Sequence, residues 1–189
     1  GITGATGPNG GFLTAGSYVV RAVKGGTAQT ITSLSDQVVT MIDDFDPNGW
    51  WTNNQFKPTI AGYYSINAAV WWDAGSITNQ QSNIQFRKNG STQIAIEQTQ
   101  ILSGSGYGQT LTSIAYFNGT TDYIEVTAFT ANTTSQGING GSAGTWFTAA
   151  LYAYGPQGAS GSTGLTGATG TQGASGIIGL TGATGVQGI

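Results

Sequence analysis

The chain has 189 residues, a formal charge of -3, a sequence pI near 4.4 and charged residues at only 7%. Its five cations (Arg21, Lys24, Lys57, Arg87, Lys88) are dispersed or merely paired, so no basic stripe grips phosphates and nucleic acid is not expected as a partner. Cys and His are absent, which removes disulfides, thiolate sites, His-based nucleophilic triads and the two commonest zinc ligands, and no apolar run is long enough to span a membrane.

The first element in chain order is a glycine at every third position: Gly1, Gly4, Gly7 and Gly10. The same period returns without a break at Gly155, Gly158, Gly161, Gly164, Gly167, Gly170, Gly173, Gly176, Gly179, Gly182, Gly185 and Gly188. Only glycine fits at the axis where three extended chains wind together, so both stretches read as collagen-like triple helix and the oligomer as a homotrimer. Neither stretch carries a charge, and only Pro8 and Pro156 pre-set the extended backbone. Such rods are weak by themselves and lack ion pairs to fix their stagger. At about 3.1 Å per residue, Gly155 to Ile189 would reach on the order of 100 Å. The chain opens on Gly rather than Met with the repeat already in phase, and is read as a segment of something longer.

The expected domains are therefore a stalk end at 1–11, a bead at 12–154 and a stalk at 155–189. The bead holds every Trp, Tyr, Phe and charge, enough for one core. It reads as β throughout, with no helical period sustained for three turns. Strands are predicted over Ser17 to Val23, Gln37 to Ile42, Gly49 to Phe56, Gly62 to Trp72, Asn83 to Lys88, Thr92 to Gln98, Gln109 to Phe117, Tyr123 to Ala131 and Thr145 to Tyr154. That number of short strands predicts an all-β sandwich or jelly roll. Asn89-Gly90 is the strongest hairpin signal, because a type I′ turn needs positive φ at both central residues.

In Gly62 to Trp72 one parity gives the core-like set Tyr64, Ile66, Ala68, Val70 and Trp72. The other gives Tyr63, Ser65, Asn67, Ala69 and Trp71, mixed but far from polar, as in a strand whose second face meets neighbouring subunits. With Phe147, Ala149 and Leu151 of the closing strand, Tyr63, Tyr64, Ile66, Ala68, Val70 and Trp72 form the expected core and trimer wall.

Four motifs then appear in order: Phe56-Lys-Pro-Thr-Ile-Ala-Gly62-Tyr-Tyr64-Ser-Ile66, Phe86-Arg-Lys88-Asn89-Gly90, Asp122-Tyr-Ile-Glu-Val126 and Phe147-Thr-Ala-Ala-Leu151. Together they resemble the globular head of the complement first-component family (C-one-q-like), a trimeric jelly roll shared with the tumour necrosis factor family. Thr121 stands where that family tends to have Gly. A stalk also leaves the head here, whereas in animal members the head ends the chain. The charge-free, Thr-rich triplets and the internal bead resemble bacteriophage virion fibres most, with bacterial spore-surface filaments next.

The candidate sites are few. Trp50, Trp51, Trp71 and Trp72 can stack on sugar rings, although packing is the favoured reading for large aromatics. Asp43, Asp44, Asp46 and Asn48 offer hard oxygens to calcium, which some members of the resembled family bind, yet their spacing matches no EF-hand and solvated turn carboxylates are favoured. Apart from that calcium reading, no cofactor is expected. Glu97 and Glu125 can be imagined as a glycosidase pair, and an outward-facing acid on an alternating strand is the ordinary reading of each. Asn89, Asn118 and Asn132 fit the glycosylation sequon in turn-forming contexts. Three loops, Ala74 to Ser82, Leu102 to Gly108 and Ala131 to Gly144, have the composition of adaptable contact surfaces.

The resulting expectation is a non-enzymatic structural fibre segment: a jelly-roll bead that nucleates and registers collagen-like stalks in a virion. Its partners would be its own copies and other virion or filament proteins, on a virion or extracellular surface appendage. The alternatives are a head that recognises a host glycan or protein, and a bacterial spore or surface filament.

Overall fold

Alternation in Gly62–Trp72 is realised as a strand buried on one face: Tyr64, Ile66, Ala68, Val70 and Trp72 are buried, while Tyr63 and Trp71 are exposed. This strand is the spine of a computed structural model that describes residues 18–74, 80–101, 105–154 and 172. All the repeat glycines named above lie outside the described residues. Apart from Gln172, the described residues fall within the compact unit Gly10–Gly158.

The described elements are all strands: β1 (Val19–Val23), β2 (Gln29–Ile31), β3 (Gln37–Val38), β4 (Ile42–Phe45), β5 (Trp51–Thr52), β6 (Gln55–Phe56), β7 (Gly62–Trp72), β8 (Gln80–Lys88), β9 (Thr92–Ile101), β10 (Tyr107–Phe117), β11 (Ile124–Thr130), β12 (Gln136–Ile138) and β13 (Trp146–Tyr154). They form two antiparallel sheets. In the seven-stranded sheet β7 pairs with β10 along its length and with β13 over Gly62 to Ala69, and β13 continues to β1 and β4. The short β12 and β2 extend this sheet from Trp72. The six-stranded sheet runs β5-β6-β11-β8-β9, with β3 also on β11. The expected jelly-roll sandwich is thus present.

Between the sheets lies an aromatic core. Phe56 packs on Tyr64, Phe117 and Phe147 at ring separations of 5.4, 5.4 and 5.7 Å, and Trp50 meets Tyr64 at 5.9 Å. These edge-to-face and tilted pairs add to the area each ring buries. Two left-handed turns fix the strand registers. Asn89 (φ 53°) and Gly90 (φ 73°) close the predicted β8–β9 hairpin. Asn53 (φ 52°) and Asn54 (φ 62°) close a second one between β5 and β6, so the single strand predicted over Gly49 to Phe56 is a hairpin instead. Asparagine tolerates that conformation better than other non-glycine residues.

Other strand predictions need correction. The run Gln37 to Ile42 is broken, because the Thr40 N–H is taken by Gln29 Oε1 (2.8 Å) and the Met41 N–H by Asn54 Oδ1 (2.8 Å), and Ile42 opens β4. The Ala74 to Ser82 loop yields its last residues to β8, and Tyr107 and Gly108 belong to β10. The Ala131 to Gly144 loop contains β12, and β2 was not foreseen.

The registers define two poles. Val19 lies opposite Ala150 and Tyr154 opposite Gly62, so the chain enters and leaves the sandwich at the same pole. The Leu151 N–H donates to the Tyr18 carbonyl (3.1 Å), binding entry to exit. The turns Asn89-Gly90 and Asn118 to Asp122 share this pole. Trp72, Tyr107, Ser82 and Thr130 mark the other pole; of the predicted loops, Ala74 to Ser82 and Leu102 to Gly108 lie partly outside the described residues, and Ala131 to Gly144 follows Thr130 there.

Candidate functional site

Residues paired directly across an antiparallel sheet share a face, so the register shows what the seven-stranded sheet turns outward. Tyr63 aligns with Tyr116, Ser65 with Ile114 and Ala150, Asn67 with Thr112 and Thr148, Ala69 with Thr110 and Trp146, and Trp71 with Gly108. The row continues through Arg21 to Phe45 and through Val23 to Ile42. Large apolar side chains on this face are solvent-exposed: Tyr63 45%, Trp71 43%, Ile114 53%, Ile42 56% and Phe45 48%. Among the described residues of these rows Arg21 is the one charged side chain, and it is ion-paired to Asp44. Asn67, Thr110, Thr112, Trp146, Thr148 and Arg21 line a shallow cleft of about 380 Å³ in the middle of the face.

The outer face of the six-stranded sheet is unlike it. Gln85 aligns with Thr127 and Arg87 with Glu125. Asp36 gathers Gln85 Nε2 and Arg87 Nη2, each at 2.7 Å, and Gln55 Nε2 donates to Glu125 Oε2 at 3.3 Å. That face is richer in charged and amide side chains, although Ile96, aligned with Gln85, stands 41% exposed on it and Asn83 Oδ1, Arg87 Nε and Thr127 Oγ1 are buried there without a hydrogen-bond partner. The outer face of the seven-stranded sheet thus combines exposed rings and aliphatic side chains with a polar centre around Asn67, Thr110, Thr112 and Thr148, and carries fewer charges than the other outer face.

At the pole of entry and exit, the second and third sequence motifs meet. Lys88 Nζ lies 2.8 Å from Asp122 Oδ2 and donates to the Tyr116 carbonyl (2.6 Å), with its ammonium 5.5 Å from the Phe117 ring centroid. Asn89 Nδ2 donates to Asp122 Oδ1 (3.0 Å), and the Asn118 N–H to Asp122 Oδ2 (3.0 Å). Burial opposes ionisation of Asp122, but the bonds from Asn89, Lys88 and the Asn118 amide, with the Lys88 charge, hold its carboxyl below the usual carboxylate range. Asn118 Oδ1 accepts the N–H groups of Thr120, Thr121 and Asp122, so Thr121 is accommodated in the turn. The first motif closes the same pole, where Tyr64 OH donates to the Ile60 carbonyl (3.0 Å). Burial, with the phenols of Tyr154 and Tyr18 nearby, pushes the Tyr64 hydroxyl up.

The remaining candidates fall as follows. Tyr64, Ile66, Ala68, Val70, Trp72, Phe147, Ala149 and Leu151 lie in the interior, and Tyr63 alone of the predicted wall residues is exposed. Trp50, Trp51 and Trp72 are buried, leaving Trp71 outside. Asp43 and Asp44 stand on β4 rather than in a turn, and Asp46 Oδ2 accepts the Trp51 N–H (2.6 Å) instead of being merely solvated. Asn48 lies in the turn that follows. No cluster of three His, Cys, Asp or Glu able to hold a metal ion exists among the described residues. Glu125 shares the outer face with Arg87, as expected of an outward-facing acid, but is buried there, whereas Glu97 aligns with the buried Ile84 and so takes the inner parity, contrary to the outward reading. Glu97 aligns with Ile84 and Glu125 with Arg87, positions of opposite parity on β8, so the two acids project from opposite faces and cannot flank one bond. Asn132 is buried, and the amides of Asn89 and Asn118 hold the turns described above.

Two groups escaped sequence reasoning. Lys24 is a buried cation whose ammonium donates to Gln29 Oε1, the Thr40 carbonyl and Thr40 Oγ1, and burial lowers its pKa. Gln109 bridges the sheets at the far pole, accepting Trp72 Nε1–H (2.7 Å) and donating to the Ser82 (3.2 Å) and Glu97 (3.3 Å) carbonyls. Nearby, burial pushes the Tyr107 hydroxyl up to about 12 against the pull of Ser82 and Gln136. A Gln within an apolar-alternating strand was the available signal.

Comparison with solved structures places this architecture. The chain is similar to Eiger TNF from S. frugiperda, with a TM-score of 0.58 at 6% identity over 75% of this chain and 96% of that one. It is similar to murine APRIL, with 0.53 at 12% identity over 71% and 98%. It is likewise similar to the globular domain of zebrafish complement 1qA protein, with 0.53 at 10% identity over 73% and 99%. No protein-family model matches the sequence, and no curated protein matches it. The fold class so defined is a jelly-roll sandwich like that of the tumour necrosis factor and complement 1q structures. Within that class the zebrafish complement domain is the structural counterpart of the resemblance carried by the four sequence motifs.

Proposed function

We propose that the chain is a non-enzymatic structural fibre segment, in which three copies of the jelly roll associate through the outer face of the seven-stranded sheet and register the collagen-like stretches of the three chains. The single observation that carries this reading is the nearly charge-free face bearing the exposed Tyr63, Trp71 and Ile114, set against the outer face of the other sheet, which carries Asp36, Arg87 and Glu125. Burying such a face drives association, and a triple helix requires three chains. The setting that suits a charge-free, Thr-rich repeat is a virion fibre or other extracellular appendage. The native mass of the intact chain, compared with that of Ile114→Glu, tests the interface: a trimer that the substitution dissociates or weakens is expected, and indifference to it contradicts the assignment.

One observation favours a second reading, a head that binds a host glycan or protein. The described Ala131 to Gly144 stretch lies at the pole opposite the one where β1 begins and β13 ends. Specific retention on a glycan array, lost on substitution in the Ala131 to Gly144 loop, would favour that reading over a purely mechanical one.

A further inference from the structure

A polar row crosses the outer face of the seven-stranded sheet at right angles to its strands. Thr112 on β10 lies opposite Asn67 on β7, Asn67 opposite Thr148 on β13, and Thr148 opposite Arg21 on β1, so four successive strands each contribute one polar side chain. All four line the cleft of about 380 Å³. Large apolar side chains fall on either side of the row: Ile114, Tyr63 and Tyr116 toward the pole of entry and exit, Trp146 and Trp71 toward the other. Most of the row's bonding capacity is left open within the chain. Arg21 is paired with Asp44, but among the described residues the Asn67 amide and the Thr112 and Thr148 hydroxyls have no hydrogen-bond partner. Elsewhere in the sandwich amides are bonded locally, Gln85 to Asp36, Gln109 to Trp72, Asn89 to Asp122 and Asn139 to Asp73.

We propose that the row Thr112, Asn67, Thr148 and Arg21 sets the level at which copies of the bead dock, row meeting row at each interface, and that this match keeps the assembly a closed ring of three. The inference rests on the trimeric reading above and adds what aligns the beads. Every copy carries the same row, and an amide or a hydroxyl both donates and accepts, so the row is complementary to itself. A copy slid by two residues along the strands, about 7 Å, still meets apolar surface. Its amide and hydroxyls, however, then face a row holding Ile114 with Ala150 or one holding Ala69 with Trp146, each with a single hydroxyl, Ser65 or Thr110. Apolar burial is non-directional and tolerates that slip. Polar groups buried without partners do not, and a polar side chain within an apolar interface is a well-attested means of fixing register and copy number. The slip has a structural consequence. A ring of three is built from head-to-tail interfaces, and such an interface displaced along the axis no longer closes but grows into an open filament. The repeats carry no charge, so no ion pairs there correct the offset.

The test is native mass of the intact chain, measured above the triple-helix transition so that the repeats do not impose a count of three, with circular dichroism to follow the sandwich. For Asn67→Leu/Thr112→Val/Thr148→Val the sandwich transition should be kept and association retained, while the fraction of material at three chains falls several-fold in favour of larger assemblies. Asn67→Gln/Thr112→Ser/Thr148→Ser, which keeps the polarity, should remain a single three-chain species. A sharp three-chain species from the apolar variant, or the same spread from the polar one, overturns the register role while leaving the trimer in place. A single-chain apolar variant beside a three-chain parent also overturns it, since the row would then supply adhesion rather than alignment. A single-chain parent instead overturns the trimeric reading itself. Should the triple variant lose the sandwich transition, Thr112→Val/Thr148→Val carries the same comparison.

Discussion

Lys88 and Asp122, 34 positions apart in sequence, meet at 2.8 Å on the pole where the chain enters and leaves the sandwich. Each also satisfies a neighbour's backbone: Lys88 the Tyr116 carbonyl and Asp122 the Asn118 amide. The pair therefore ties the β8–β9 hairpin to the turn after β10. Removing one partner leaves the other partly buried and uncompensated, which costs about 3 kcal/mol. Asp122→Ala should reduce stability by about that amount in urea unfolding, and Lys88→Met by less, because Asn89 and the Asn118 amide still bond the carboxylate.

The same carboxyl sets an acid limit. Its folded pKa is depressed, so its stabilising contribution is fully present above the unfolded carboxylate value of about 3.9 and is lost as pH falls through the lower folded value. Urea midpoints measured from about pH 5 downward should fall more steeply for the parent than for Asp122→Asn, which lacks this titration. Parallel curves would remove Asp122 from the explanation.

Gly119 has φ +73°, and a Cβ there would stand 2.6 Å from the Ala61 nitrogen and 2.9 Å from the Ile60 carbonyl carbon. Both obstacles are backbone. Gly49 has a similar φ of +67° with nothing within 4 Å. Gly49→Ala should thus cost about 1 kcal/mol from conformation alone, and Gly119→Ala clearly more, in a side-by-side denaturation series. Equal costs would show that the Asn118 turn can yield.

Gln109→Leu leaves the Trp72 indole N–H and the Ser82 and Glu97 carbonyls without their partner. A loss of about 2 kcal/mol is expected, with a change in near-ultraviolet circular dichroism from the Trp72 environment. Little change in either would mean that water replaces the amide.

If the repeat winds as proposed, Gly167→Val or Gly182→Val puts a side chain at the crowded axis and should lower a triple-helix transition while leaving the sandwich transition where it was. A rod unaffected by either change would contradict the triple helix.

Much of this fold was legible in the sequence, for reasons that vary from one element to another. Gly62 to Trp72 announced itself because one face is wholly buried, which enforces period two. Asn89-Gly90 did so because few sequences tolerate two successive left-handed residues. The short β2 and β12 were hidden because three-residue strands inside Gly-, Ser- and Asn-rich stretches have no period to show. Glu125 reads as an outward-facing acid and does share the face of Arg87, but its burial, with Gln55 bonded to it from a strand 70 positions away, leaves no local signal. The shared pole of Tyr18 and Tyr154 was illegible for a similar reason, since it follows from the pairing of β1, β13 and β7 rather than from any local pattern.

The most direct measurement of the central claim is the native mass of the segment from Phe12 to Tyr154, without either repeat. A species of three chains means that the bead holds the trimer without the repeats, as the account predicts, and loss of that species on Ile114→Glu would place the interface on the outer face of the seven-stranded sheet. A single-chain species would contradict it, leaving the repeats as the element that organises the bead.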